Sequence, residues 1–160
     1  MTAKQKKLTL LTFCSIFVLV TQAQTPEQLK LKKIAADIAA SNRLYSQGFE
    51  THNAALVVNS YSIDGAIMAP NAKSITSREG FLAFFKGGYD HGIRKISLHT
   101  IRLFGLSSSM VNEEGSYELQ DEKGQTIDKG KYIVVWKKTV SGWKMYRDIF
   151  NTDLANSEQH

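Results

Sequence analysis

Four extended runs occupy the second half of the chain, and short turns separate them. Residues 93–104, 110–120, 127–138 and 143–151 are rich in β-branched and aromatic residues. Between them lie residues 105–109, then Asp121-Glu122-Lys123-Gly124, then Val140-Ser141-Gly142. Connections this short join antiparallel neighbours, because a parallel crossover needs a dozen or more residues. The second half is therefore predicted to be an antiparallel meander. Such a sheet has an apolar face that needs a cover, and the cover must come from the residues before it.

Those residues carry helical signals. Thr25 is placed to cap, Pro26 suits the first helical position, and Gln28 completes a capping box. Leu31, Ile34, Ile38, Tyr45 and Phe49 then keep close to a three-four spacing and form one apolar stripe, with Asn42 interrupting it. Asn53 is expected to cap a short second helix carrying Leu56, Val57 and Tyr61. Residues 65–70 read as a short strand that Pro70 ends or places at an edge. Ser77 caps a third helix bearing Phe81, Leu82, Phe85 and Tyr89, which the glycine-rich stretch 87–92 is expected to end. Helices first and a curved sheet afterwards make an α+β layer architecture.

The first 23 residues read differently. Lys4, Lys6 and Lys7 precede an apolar run over 8–20, and Thr21-Gln22-Ala23 follows it. This is the pattern of a secretory signal peptide cleaved after Ala23, which implies a secreted or periplasmic protein of 137 residues (24–160) with a single domain. Thirteen apolar residues are too few to span a bilayer, so no stable membrane span is expected after processing. Cys14 lies within the run, and Thr12-Phe13 ahead of it fits a lipid acceptor poorly. The whole chain has a net charge of +5. Without its three leader lysines it holds 17 basic and 15 acidic residues, and no basic stripe remains to recruit nucleic acid.

Alternation assigns the sheet faces. In the third run Tyr132, Val134 and Trp136 share a face, opposite lysines interleaved with Ile133 and Val135. In the second, Glu113 shares a face with Tyr117 and Leu119, so its carboxylate is expected on the covered side. In the fourth, Tyr146, Asp148 and Phe150 alternate with Trp143, Met145, Arg147 and Ile149, and both faces are mixed.

This order of elements, with the segments Ala54-Ala55-Leu56 to Tyr61, Asp64-Gly65-Ala66, Met68-Ala69-Pro70-Asn71, Ser77-Arg78-Glu79-Gly80-Phe81, Asp128-Lys129-Gly130-Lys131-Tyr132 through Trp136-Lys137, Gly142-Trp143-Lys144 and Arg147-Asp148-Ile149-Phe150-Asn151, resembles the nuclear transport factor 2-like, or ketosteroid isomerase-like, superfamily. The nearest likeness is to its SnoaL-like branch, over a core of residues 30–152. The resemblance implies a cone-shaped fold: three helices packed on a curved antiparallel sheet around a pocket. It implies that Glu113, Tyr117, Tyr132, Val134, Trp136, Tyr146, Asp148 and Phe150 line that pocket. Tyr45, Phe49, Met68 and Phe85 would close it. It also implies an isomerase-type oxyanion donor at Tyr45 and a second donor at Tyr132. The proton-abstracting base of those isomerases falls on Ala69, whose methyl group takes no proton.

Two carboxylates remain as candidates for acid–base work. Glu113 and Asp148 sit among aromatic residues, where shielding from water raises proton affinity. The same acids serve equally well as hydrogen-bonded structural groups. His52, His91, His99 and His160 share no ligand spacing, so neither a metal nor a cofactor is expected. His91 is expected to face solvent and His99 to approach the cavity mouth. Three readings stay open: a binder of a small apolar molecule with one or two oxygens, an isomerase, dehydratase or hydrolase using Glu113 or Asp148, and a non-catalytic module that forms a homodimer through the outer face carrying Ile133 and Val135.

Overall fold

The computed structural model describes residues 24–154. The signal peptide expected over 1–23, Cys14 within it, and His160 lie outside the described residues. Helix α1 (Pro26–Glu50) starts as its sequence dictates. Thr25 Oγ1 accepts from the Gln28 amide, and the Gln28 side chain accepts from the Thr25 amide in return. Its buried residues are Ile34, Ile38, Asn42, Tyr45, Gly48 and Phe49, whereas Leu31 is 39% exposed near the start. Helix α2 (Ala54–Val58) is capped by Asn53 and α3 (Arg78–Asp90) by Ser77.

Strand β1 (Tyr61–Met68) starts four residues earlier than the glycine and proline pattern suggested. It pairs parallel with β5 (Gly142–Thr152) at the sheet edge, with an irregularity between Tyr61 and Ala66. Strands β2 (Lys95–Phe104), β3 (Met110–Gln120) and β4 (Thr126–Thr139) complete the meander, and the sheet order is β1-β5-β4-β3-β2. The helices cover one face of this curved, open sheet, and the apolar core lies between them. The third helix continues through Gly87 and Gly88 to Asp90 rather than stopping at them.

Two bulges shape the face that meets the helices. One falls between Thr100 and Arg102 of β2, where Ile101 is the extra residue. The other lies opposite Val135 and Trp136, where Tyr146 of β5 is the extra residue. A bulge bends its strand and reverses the in–out phase after it. Trp143 and Met145 therefore face inward before Tyr146, and Asp148 faces inward after it. The simple alternation expected for this strand fails at that point. Tyr146 is turned outward, where the Arg147 guanidinium lies 3.7 Å from its ring centre and the Lys137 ammonium 5.0 Å away.

Two glycines let aromatic rings lie across the sheet. Gly115 stands opposite Tyr132, and Gly130 opposite Tyr117. A Cβ at Gly115 would run into the Tyr132 ring and hydroxyl, and one at Gly130 into the Asn151 carbonyl and the Tyr117 ring. Each tyrosine thus lies over the glycine of the neighbouring strand, and its hydroxyl reaches a strand beyond its own.

Candidate functional site

A cavity of about 460 Å³ opens between the sheet and the helices. Helix α1 presents Asn42, Tyr45 and Phe49 to it, spaced by three and four residues. Helix α3 presents Phe84, Gly87, Gly88 and His91, a stripe of the same periodicity. The two glycines keep that wall low, so Phe84 and Phe150 stand at the opening with ring centres 6.2 Å apart. The sheet contributes Ile96 and Leu98, Tyr117 and Leu119, Tyr132 and Val134, then Met145, Asp148 and Phe150.

Most expected pocket residues reach this space. Tyr45, Phe49, Tyr117, Tyr132, Val134, Asp148 and Phe150 line it. Phe85 does not. It is one residue, about 100° of helix, away from Phe84, and packs inward on Phe49 with ring centres 4.9 Å apart. Met68 is likewise displaced by one position: Ile67 before it is buried, and Ala69, just past the end of β1, lines the cavity instead. Ala69 brings only a methyl group. Tyr146 is outside by virtue of the bulge. His99 faces away from the cavity, beside its inward neighbour Leu98, while His91 stands at the exposed rim with Nδ1 on the Gly87 carbonyl at 2.7 Å. Periodicity alone did not reveal Asn42, Phe84, Gly87 and Gly88 as pocket residues. The 3-4 spacing of Asn42 with Tyr45 and Phe49 was the one available signal.

The two candidate acids differ sharply. Glu113 is fully buried, at 0% exposure, and does not line the cavity. Its Oε1 accepts from Asn42 Nδ2 at 2.9 Å, Thr100 Oγ1 at 2.5 Å and the Tyr132 hydroxyl at 2.9 Å. Its Oε2 accepts from Trp136 Nε1 at 2.8 Å. One carboxylate thus ties α1, β2 and β4 to β3, and Trp136 is its partner rather than a pocket wall. The expectation that Glu113 acts on a ligand fails, because its oxygens are occupied and Asn42 and Tyr132 stand between it and the cavity.

Asp148 lies at the cavity wall. Its Oδ2 accepts from the Tyr61 hydroxyl at 2.6 Å, and among the described residues its Oδ1 has no donor. Burial, offset by the Tyr61 hydrogen bond and reinforced by the negative charge of Glu113, raises its pKa to about 6. Burial and the nearby Asp148 charge push the Tyr61 and Tyr45 hydroxyls well above the ordinary tyrosine value, and the two hydroxyls interact. Burial, then Glu113, does the same to Tyr132. These phenols are hydrogen-bonding groups and stay protonated at neutral pH. Among the described residues no three His, Cys, Asp or Glu side chains gather as a metal site would require.

No protein-family model and no curated protein matches this chain. Solved structures do. A protein of unknown function from Mycobacterium tuberculosis superposes with a TM-score of 0.69 at 16% identity, covering 85% of this chain and 80% of its own. A hexachlorocyclohexane dehydrochlorinase of the LinA type from Novosphingobium barchaimii gives 0.64 at 15% identity, covering 79% and 90%. A ketosteroid isomerase-like protein from Erwinia carotovora atroseptica gives 0.62 at 14% identity, covering 75% and 96%. Likeness at these identities establishes the fold, which is the nuclear transport factor 2-like one. It does not carry activity across, because one fold hosts many unrelated sites.

Proposed function

We propose that this domain, exported by its leader, binds a small and mostly apolar molecule carrying one or two oxygens. The observation that carries the reading is the cavity itself: about 460 Å³, walled mostly by aliphatic and aromatic side chains, with Asn42, Tyr45, His91, Tyr117, Tyr132 and Asp148 bringing its few polar groups. That combination of apolar area and sparse polar anchors is what small-molecule sites use. The aromatic walls supply affinity through buried area, and the polar groups supply orientation.

Thermal-shift and native mass spectrometry measurements with a panel of bicyclic apolar alcohols, ketones and ethers test it. At least one class is expected to raise the melting temperature and to appear as a one-to-one complex. Ala69→Phe, which fills the cavity from its wall, is expected to abolish both signals while the domain stays folded. Retained binding in that variant, or no binding by any class, removes the proposal.

One observation favours a second reading, acid–base catalysis by Asp148. It is a cavity-facing carboxylate with a pKa of about 6 and one oxygen free, and such a group exchanges protons near neutral pH. Glu113 gives it no catalytic partner. Turnover of any ligand found above, lost in Asp148→Asn with an acidic pH limb near 6 in the parent, would establish it; unchanged turnover in the variant would end it.

A further inference from the structure

Apart from Tyr45, the hydroxyls on the cavity wall have already given their protons to carboxylates. Tyr132 spends its proton on Glu113, and Tyr117 spends its proton on Asp128 at 2.9 Å. Tyr61, behind Asp148, spends its proton on that carboxylate. His91 meets the Gly87 carbonyl through Nδ1, so a neutral ring leaves Nε2 as an acceptor. Among the described residues Tyr45 is the one cavity hydroxyl whose proton no carboxylate receives.

Asn42 makes the pattern specific. The residue is only 6% exposed and lines the cavity, and among the described residues its Oδ1 has no hydrogen-bond partner. Its orientation is not free to reverse. Glu113 Oε1 also receives the Thr100 and Tyr132 hydroxyls, which marks it as an acceptor, so Nδ2 faces it and Oδ1 faces away. A buried acceptor without a donor is costly, and a bound hydroxyl group or water would relieve that cost. Asp148 Oδ1 is a second acceptor without a donor on the same cavity.

Resting on the binding reading above, we infer that the cavity selects a hydroxyl-bearing ligand, an apolar alcohol or phenol whose O–H proton is received by Asp148 Oδ1, with Asn42 Oδ1 placed to receive that of a second hydroxyl or of a bound water. A ketone, ester or ether of the same shape would leave both acceptors unpaired and set its own oxygen against them. A carboxylate would meet Asp148 with no Lys or Arg among the described residues of the cavity wall. Rejection of an analogue lacking the donor is the stronger half of such selection, because the protein's buried polar groups are then left unmet.

Matched ligands on one skeleton test this: 1-tetralol, 1-tetralone and 1-methoxytetralin, titrated calorimetrically at pH 8. The alcohol is expected to bind at least about tenfold more tightly than either analogue, the worth of one hydrogen bond to a charged group. Tyr45→Phe is expected to keep that preference. Asp148→Asn is expected to reverse it, because the Asn carbonyl would take the Tyr61 proton and turn its NH₂ into the cavity. Equal or better binding of the ketone or ether by the parent overturns the donor inference and leaves the binding reading standing. So does loss of the preference in Tyr45→Phe, or no change of it in Asp148→Asn. Failure of all three compounds to bind overturns the binding reading and this inference with it.

Discussion

Glu113 and Asp148 are two buried acids on the same face of one sheet, and they are built for different work. Around Glu113 four donors converge from α1, β2 and β4, and nothing is left over. Around Asp148 one donor is present, one oxygen is idle, and the cavity adjoins it. Burial is nearly the same in both cases. What separates them is the number of donors that the fold supplies, and that number decides whether a buried acid holds structure together or remains available to a ligand.

The comparison breaks most visibly at Glu113. Glu113→Ala strands three buried donors together with the Thr100 hydroxyl and opens a void, so a loss of about 4 kcal/mol or more is expected. Urea unfolding at neutral pH would measure it, and a loss under about 1 kcal/mol would show that the four bonds do not tie α1, β2 and β4 to β3 in any way that matters to stability.

Asp148→Asn should act in the opposite direction. The Asp148 pKa is raised from 3.8 to about 6, so the folded protein binds this proton more tightly than the unfolded chain. Its contribution to stability is present below 3.8 and is lost as pH rises through about 6. The Asn variant escapes that loss. It is expected to be more stable than the parent at pH 8 by roughly 3 kcal/mol at most, with the difference shrinking toward zero at pH 4. Paired urea titrations at the two pH values decide it, and a gain at pH 4 equal to that at pH 8 would contradict the assignment.

Gly115→Ala sharpens the contrast from a distance. The new methyl displaces the Tyr132 ring, which removes one Glu113 donor and leaves Asp148 and Tyr61 untouched. Overpacking of this kind costs about 1–3 kcal/mol. The Asp148 titration, followed by carboxyl NMR, should keep its midpoint near 6. The smallest effect is expected at an exposed acid. Lys137 holds the Asp64 carboxyl below its usual range, yet the pair sits in solvent. Lys137→Ala should leave the urea midpoint unchanged within error, because water screens such pairs.

Much of the frame was legible along the chain. The capping box at Thr25 and Gln28, the caps at Asn53 and Ser77, and the strand runs between their turns are local features set by neighbours in sequence. So is the inward face of β4, where Tyr132, Val134 and Trp136 are buried in alternation. Three of the errors share one origin. Phe84 replaces Phe85, Ala69 replaces Met68, and Tyr146 turns outward at a bulge: each is a slip of a single residue. A residue's class is a property of composition. Its phase depends on bulges and helix rotation, which the packing of distant elements sets.

The sequence alone determined that helices precede an antiparallel meander, and that two acids lie on faces rich in aromatic residues. Local propensity and periodicity suffice for that, because they involve residues within a few positions of one another. Tertiary structure decided which acid is saturated and which is free. Glu113 meets Asn42 across 71 positions, and Asp148 meets Tyr61 across 87. Separations of that size leave no periodic trace, and only the closing of the sheet beneath the helices brings such partners within hydrogen-bond reach.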